Sequence, residues 1–290
     1  KEENAARTGI ALGGGGARGL AHILTLEVLD ECGIRPDRIA GTSMGAIIGT
    51  VYAAGVSGAE IREQVKQMTI SKDDRVRDIW KKAGNLKNWL KFFKFTKGKE
   101  AILSADGFLD LLLEMLAVET FEDLQIPLKV VATDYYRDER VVIESGDLRS
   151  ALKASMAIPG VFEPVVRDGR VLVDGGMADN LPYDLLQDDC DVVIAVDVQP
   201  HWEREATTVP HMVNAVLGMY DSLIERGTQM KLKESPPTAY IRPQLVDIGI
   251  LDFDKIEDVF RQSEPTMKVL REMLEEMQAE NVLPRPSDIR

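Results

Sequence analysis

Histidine, cysteine and tryptophan are scarce in this chain, with three, two and three residues among 290. Two cysteines, Cys32 and Cys190, could form at most one bridge. That excludes a disulfide-stapled scaffold and leaves too little thiol for a multi-cysteine zinc site. Long apolar runs are missing as well. No window holds eighteen uninterrupted apolar residues, so no transmembrane helix is expected. Positive charge is in deficit, 35 Lys and Arg against 48 Asp and Glu, for a net −13. Such a chain repels phosphate backbones, and no nucleic-acid partner is expected. What remains is 44% hydrophobic and 29% charged, ordinary for a folded domain and too apolar for disorder.

The order of local signals predicts an α/β protein. Thr8–Leu12 is a short apolar run stopped by Gly13–Gly16, which reads as a buried strand ending in a glycine loop. From Ala17 to Cys32, Leu20, Ile23, Leu24, Val28 and Leu29 recur at helical spacing, with Gly33 suited to the helix end. Arg38–Gly41 repeats the pattern as a strand, turning at Thr42–Gly45 into a helical stretch over Ala46–Ala54. Strand, turn and helix twice over predict parallel pairing. Further strands are expected over Leu128–Thr133, Val141–Ser145, Val171–Val173 and Asp191–Val198, and a hairpin over Pro164–Val173 turning at Asp168-Gly169. Ser263 and Pro265 are expected to open a last helix carrying Met267, Leu270, Leu274 and Met277 on one face. The fold class is a three-layer α/β/α sandwich around a mostly parallel sheet. By division of the chain, 8–200 is the expected catalytic domain and 201–290 an extension packed on it.

Two glycine-flanked turns carry the chemistry. Gly14, Gly16 and Gly19 form a Gly-x-Gly-x-x-Gly at the start of the first helix. Such a loop lets a ligand reach backbone amides, and the helix N-terminus adds partial positive charge. It suits a dinucleotide pyrophosphate, an oxyanion, or simply close packing of helix on sheet. The dinucleotide reading wants an acidic residue after the second strand, and Gly41-Thr42-Ser43 stands there instead. Gly41-Thr42-Ser43-Met44-Gly45 is a Gly-x-Ser-x-Gly turn between strand and helix, the context in which a serine is held out as a nucleophile. Both turns follow adjacent strands and should open on one edge of the sheet. A nucleophile beside amide donors suits acyl transfer.

The activating base is less evident. His22 lies just inside the first helix, where a packed imidazole is expected, and His201 and His211 flank a surface loop. Asp134, Asp174 and Asp197 each end an apolar strand, where sites gather in α/β sheets. Spacing alone does not choose among them.

Gly14–Gly19, Gly41–Gly45 and Asp174-Gly175-Gly176, in that order, resemble the motifs of patatin-like phospholipases, and the expectation is a stand-alone bacterial member. Ala154–Gly160 and Asp179-Asn180-Leu181-Pro182 are similar to two further blocks of that family. The likeness runs from about Gly9 to Val198. It implies a serine lipid acyl hydrolase with a Ser–Asp dyad, no catalytic histidine, no metal and no cofactor. Ser43 is then the nucleophile, Asp174 the general base, and the amides of Gly14, Gly15 and Gly16 the oxyanion hole. Arg18, Gly19, Gly41, Gly45, Gly175 and Gly176 support the motifs, with Arg18 either structural or neutralising a phosphate. The substrate implied is a phospholipid or related lipid ester. An acyltransferase or general esterase on the same dyad, or a lipid-binding module without activity, are the alternatives.

One segment bends the charge argument. Residues 75–99 hold nine Lys and Arg against Asp78, a net +8, leaving −21 on the remaining 265 residues. Lysines interleaved with Trp80, Trp89, Phe92, Phe93 and Phe95 suit a lipid headgroup boundary, or else a loop packed on its own domain. Trp80, Trp89, Lys91, Phe92 and Phe93 are the candidate membrane contacts. Lys1–Arg7 has no apolar signal core. The expected location is the cytoplasm or a membrane surface, with a removed signal peptide left open.

Overall fold

The computed structural model describes residues 6–70, 105–201 and 209–284. The segment 75–99, and with it Trp80, Trp89, Lys91, Phe92 and Phe93, lies outside the described residues.

The chain starts with β1 (Thr8–Leu12), a 3-10 turn over Gly16–Leu20, α1 (Ala21–Glu31), β2 (Arg38–Thr42) and α2 (Met44–Ala53). Helices α3 (Gly58–Ile70) and α4 (Ala105–Leu116) follow, then β3 (Leu128–Asp134), β4 (Glu139–Ile143) and α5 (Leu148–Ser155). A hairpin of β5 (Val165–Arg167) and β6 (Arg170–Asp174) leads into two short helices, α6 (Gly176–Asp179) and α7 (Asp184–Gln187). The chain ends in β7 (Val192–Val196), α8 (Met212–Glu234), β8 (Ala239–Ile241) and α9 (Ile256–Ala279).

The strands form one mixed sheet in the order β5-β6-β3-β2-β1-β7-β8, with β4 also on β3. From β3 through β2, β1 and β7 to β8 every pairing is parallel, and β4, β5 and β6 are antiparallel additions at one side. Alternation separates the faces. Ile10, Leu12, Ile39, Ile194 and Val196 point into the larger core with α1, α2 and α9, while Ala11, Ala40, Val193 and Ala195 meet Leu181, Tyr183 and Leu186. Helix α2 is buried along all ten residues, which explains its apolar composition. Cys32 and Cys190 are both buried and unpaired.

Register brings the two motif ends together. Strand β4 fills one edge of β3 over Val130–Asp134. On the other edge β2 ends with Thr42 opposite Val131, and antiparallel β6 ends with Asp174 opposite Ala132. The two strands therefore run toward each other along β3 and meet end to end. Ser43 leaves one and Gly175 leaves the other.

One expectation on boundaries holds and one changes. The hairpin turns at Asp168 and Gly169, both at positive φ (51° and 72°), as a two-residue turn between twisted strands requires. The last helix does not open at Ser263 and Pro265. It begins at Ile256 and carries Pro265 inside. A proline lacks one amide, but Val259, Phe260, Met267, Leu270 and Leu274 are buried on both sides of it, and that packing carries the helix through. The Ser263 hydroxyl donates to Val259 O within the helix (2.7 Å) instead of capping an end.

Candidate active site

Ser43 occupies the sharp turn between β2 and α2 at φ 53° and ψ −122°, a conformation that non-glycine residues avoid. Its flanks must be bare. A Cβ on Gly45 would lie 2.1 Å from Leu12 O, and one on Gly41 would lie 2.7 Å from Ala46 N. Ser43 N donates to Ser155 Oγ (2.8 Å), and Ser155 Oγ donates to Val131 O (2.6 Å), so the elbow is tied to the adjoining strand.

The glycine loop lies against it. Gly14 packs so closely that a Cβ there would meet Asn180 Oδ1 at 2.6 Å and Ser43 Cβ at 3.2 Å. The Gly13 amide donates to Val196 O (3.0 Å) and the Gly14 amide to Asn180 O (3.1 Å). Gly14 therefore cannot offer its amide to an oxyanion, a correction to the expected three donors. Among the described residues the amides of Gly15 and Gly16 have no acceptor. Gly14 O is held in turn by Asn180 Nδ2 and Gln199 Nε2, both at 3.2 Å.

Asp174 is 2% exposed. Its Oδ1 accepts from Gly176 N (2.8 Å) and from the Tyr220 hydroxyl (2.7 Å). Oδ2 is buried without a hydrogen-bond partner of full geometry, although the Ser43 hydroxyl is near enough to act on the carboxyl. Burial pushes the Asp174 pKa up to about 6, against the pull of the Gly176 amide and the two hydroxyls. Ser43, Asp174, Gly14, Gly15, Gly16, Arg18, Tyr220 and Ile224 line one cavity of about 10 Å³, close to the smallest space that holds a water.

The other candidates fall elsewhere. His22 is fully buried, its Nε2 donating to Gly13 O (2.7 Å), and burial lowers its pKa to about 4. None of His22, His201 and His211 lines the cavity. Asp134 caps the amides of Tyr136 and Arg137 (3.1 and 3.2 Å), and Asp197 accepts from Gln199 N and the Tyr240 hydroxyl (2.9 and 2.7 Å). Arg18 is fully buried, and its guanidinium pairs with both carboxyl oxygens of Asp221 (3.1 and 2.6 Å). Of its two expected roles the structural one fits, since the charge is already matched. Gly19, Gly175 and Gly176 allow close packing: a Cβ on each would meet Met44 Cγ at 2.5 Å, Val131 O at 2.2 Å and Tyr220 Oη at 2.7 Å.

Ser155, Gln199, Tyr220 and Asp221 were not singled out from the sequence by role. Asp221, Ile224 and Thr228 recur at helical spacing as the buried face of α8, a signal that marks Asp221 and not Tyr220.

The chain is similar to several known proteins. Lysophospholipase NTE1 of Kluyveromyces lactis is 29% identical over 299 residues, spanning 95% of this chain and 20% of that protein. An uncharacterized NTE family protein of Mycobacterium bovis is 37% identical over 178 residues, spanning 61% of this chain and 44% of that protein. The chain thus spans less than half the length of either curated relative. The crystal structure of VipD from Legionella pneumophila aligns at TM-score 0.49 and 15% identity, over 92% of this chain and 67% of that one. Residues 10–186 match the family model described as patatin-like phospholipase, more than half of the chain, and the chain belongs to that family.

Proposed function

We propose that this chain is a serine lipid acyl hydrolase that cleaves carboxylic esters of phospholipids or related lipids. The observation that carries the reading is the convergence of Ser43, in its strained elbow, with the buried Asp174 carboxyl and two unspent glycine amides around one cavity.

Asp174 Oδ2 takes the proton of Ser43 Oγ as Oγ attacks the ester carbonyl carbon. The amides of Gly15 and Gly16 stabilise the oxyanion of the tetrahedral intermediate, and the start of the Gly16–Leu20 turn adds the favourable end of its peptide dipoles. Asp174 then returns the proton to the leaving alcohol as the ester bond breaks. Water repeats the sequence on the acyl-serine and restores both groups. A carboxyl raised to about 6 is ionised above that pH, and is a stronger base than an ordinary aspartate. Hydrolysis of lysophosphatidylcholine and phosphatidylcholine, with mass detection of products, tests the reading. Fatty acid is the expected product, together with covalent fluorophosphonate labelling that is absent from Ser43→Ala. Labelling that survives in Ser43→Ala overturns the nucleophile, and acyl transfer to an added alcohol without free acid makes the chain a transferase.

Peripheral membrane contact through 75–99 belongs to the same proposal and rests on composition alone. A chain lacking 80–99 that still floats with anionic vesicles overturns it.

A further inference from the structure

Helix α8 lies outside the residues matched by the family model, yet it reaches the proposed base. We propose that Tyr220 is a positioning residue of the reaction: with the Gly176 amide its hydroxyl holds Asp174 Oδ1 and so turns Oδ2 toward Ser43. The proposal rests on the Ser43–Asp174 reading above.

A lone carboxyl at the end of a strand has free rotation about χ2, and only one of its oxygens serves Ser43. Two donors from different segments, 2.8 and 2.7 Å away, fix Oδ1, and Oδ2 is left buried and without a donor of full geometry. Tyr220 is the donor in this pair. Burial and the neighbouring carboxylate push its phenol well above the ordinary range, so it keeps its proton. The hydroxyl also sits against the turn it serves, since a Cβ on Gly176 would lie 2.7 Å from Tyr220 Oη.

The helix is built to keep the tyrosine there. Asp221, the next residue, takes both arms of the buried Arg18 from the glycine loop. Two to three turns further on, Lys231 donates to both carboxyl oxygens of Asp179 (2.8 and 2.9 Å) and to Leu181 O (3.0 Å), with its ammonium 4.6 Å from the Tyr183 ring centre. Tyr220 is thus seated from one side by the oxyanion loop and from the other by the segment that follows Asp174. The groups facing Asp174 are the Ser43 hydroxyl from the elbow and Tyr220 from α8, while Arg18 and Asp221 across the cavity neutralise each other.

Tyr220→Phe in the full chain removes one hydroxyl and keeps the ring. The test measures kcat and KM on a soluble short-chain ester from pH 5 to 9, with melting temperature as the control for folding. The rate of fluorophosphonate labelling at Ser43 gives a second readout, independent of substrate binding. Expected are a fall of about tenfold in kcat, KM nearly unchanged, slower labelling, and an acid limb moved to higher pH because a donor to the carboxylate is gone. An unchanged kcat and acid limb overturns the proposal and leaves Tyr220 as packing. A rise in kcat overturns it too, because the hydroxyl is then a latch that holds the small cavity shut. Asp174→Asn separates the two readings. Full activity in that variant removes the dyad itself, whereas an inactive Asp174→Asn beside an unaffected Tyr220→Phe removes only the role of Tyr220.

Discussion

The glycine loop and elbow (residues 13–45) and helix α8 both reach the same cavity, and they do so in opposite ways. In the first, the demands fall on the backbone and on the space for a Cβ: Gly45 must be bare because Leu12 O is 2.1 Å from where a Cβ would be, Gly16 because Ile250 O would be 2.2 Å away, and Ser43 is strained by its own turn. In the second, Tyr220 and Asp221 have an unremarkable helical backbone and matter only through partners 46 and 203 residues away in sequence. Demands on backbone conformation and Cβ space restrict residue type, so they leave a motif. Distant side-chain contacts restrict only one rotamer among many, and leave almost none. The largest expected effect lies where the two regions share a target. Ser43→Ala and Asp174→Asn should each lower kcat by about 10⁴-fold on a lipid ester, and the double variant should be no worse than either, because the two groups act as one unit. Additive losses would show that the serine works with a different base.

That contrast also explains how much was legible beforehand. Strands over Thr8–Leu12 and Arg38–Thr42 and the Asp168-Gly169 hairpin are local patterns of apolar alternation and turn chemistry, and the sequence shows them within a residue or two, while the helix between the strands begins four residues later than expected because a 3-10 turn precedes it. The meeting of β2 and β6 end to end on β3 was not legible, because strand order is a property of the whole sheet. For the same reason spacing alone offered Asp134, Asp174 and Asp197 as equals; the family resemblance picked out Asp174, and the register is what brings it to Ser43. The Gly14 amide was misassigned because its acceptor, Asn180 O, arrives from 166 residues away. Pro265 misled on the start of α9 because burial on both sides overrides a single missing amide.

The buried ion pair that joins the two regions sharpens the comparison next. Arg18→Met alone leaves Asp221 as an unmatched buried charge, and should destabilise the chain by about 3–5 kcal/mol in urea unfolding. Arg18→Met with Asp221→Leu removes both charges and should recover most of that loss. If the double variant is stable but slow, the pair exists to place α8 and not to hold the fold. If it is as unstable as the single one, the pair belongs to the stability of the fold and the division between the regions fails.

Asp174 itself should weaken the native state at the pH where it works. Its native pKa of about 6 lies above the ordinary 3.8, so the folded protein holds a proton that the unfolded chain has lost. The contribution to stability is present below pH 3.8 and is lost as pH rises through 6. Asp174→Asn removes the ionisation, and should raise stability above pH 7 by up to about 3 kcal/mol while changing little at pH 4. Urea midpoints at the two pH values measure it. Equal midpoints at pH 8 would mean the carboxylate is better satisfied than its one unpartnered oxygen suggests.

His22 gives a slope of the opposite sign from within the motif region. Its pKa is lowered from 6.5 to about 4, so between these values the unfolded chain binds a proton that the buried imidazole refuses. Stability present above pH 6.5 is lost as pH falls, by about 2 kcal/mol between pH 6.5 and 5. In the native protein the Asp174 term rises over the same interval and partly cancels it. The Asp174→Asn background removes that rise, although buried Asp197 still contributes with the same sign, so the His22 slope is the difference made by a further change at His22. Adding His22→Gln there keeps an amide donor for Gly13 O while removing the titration, and should flatten the profile. A profile that stays as steep after both changes would place the acid sensitivity in groups other than Asp174 and His22, and the buried imidazole of the motif region would then carry none of it.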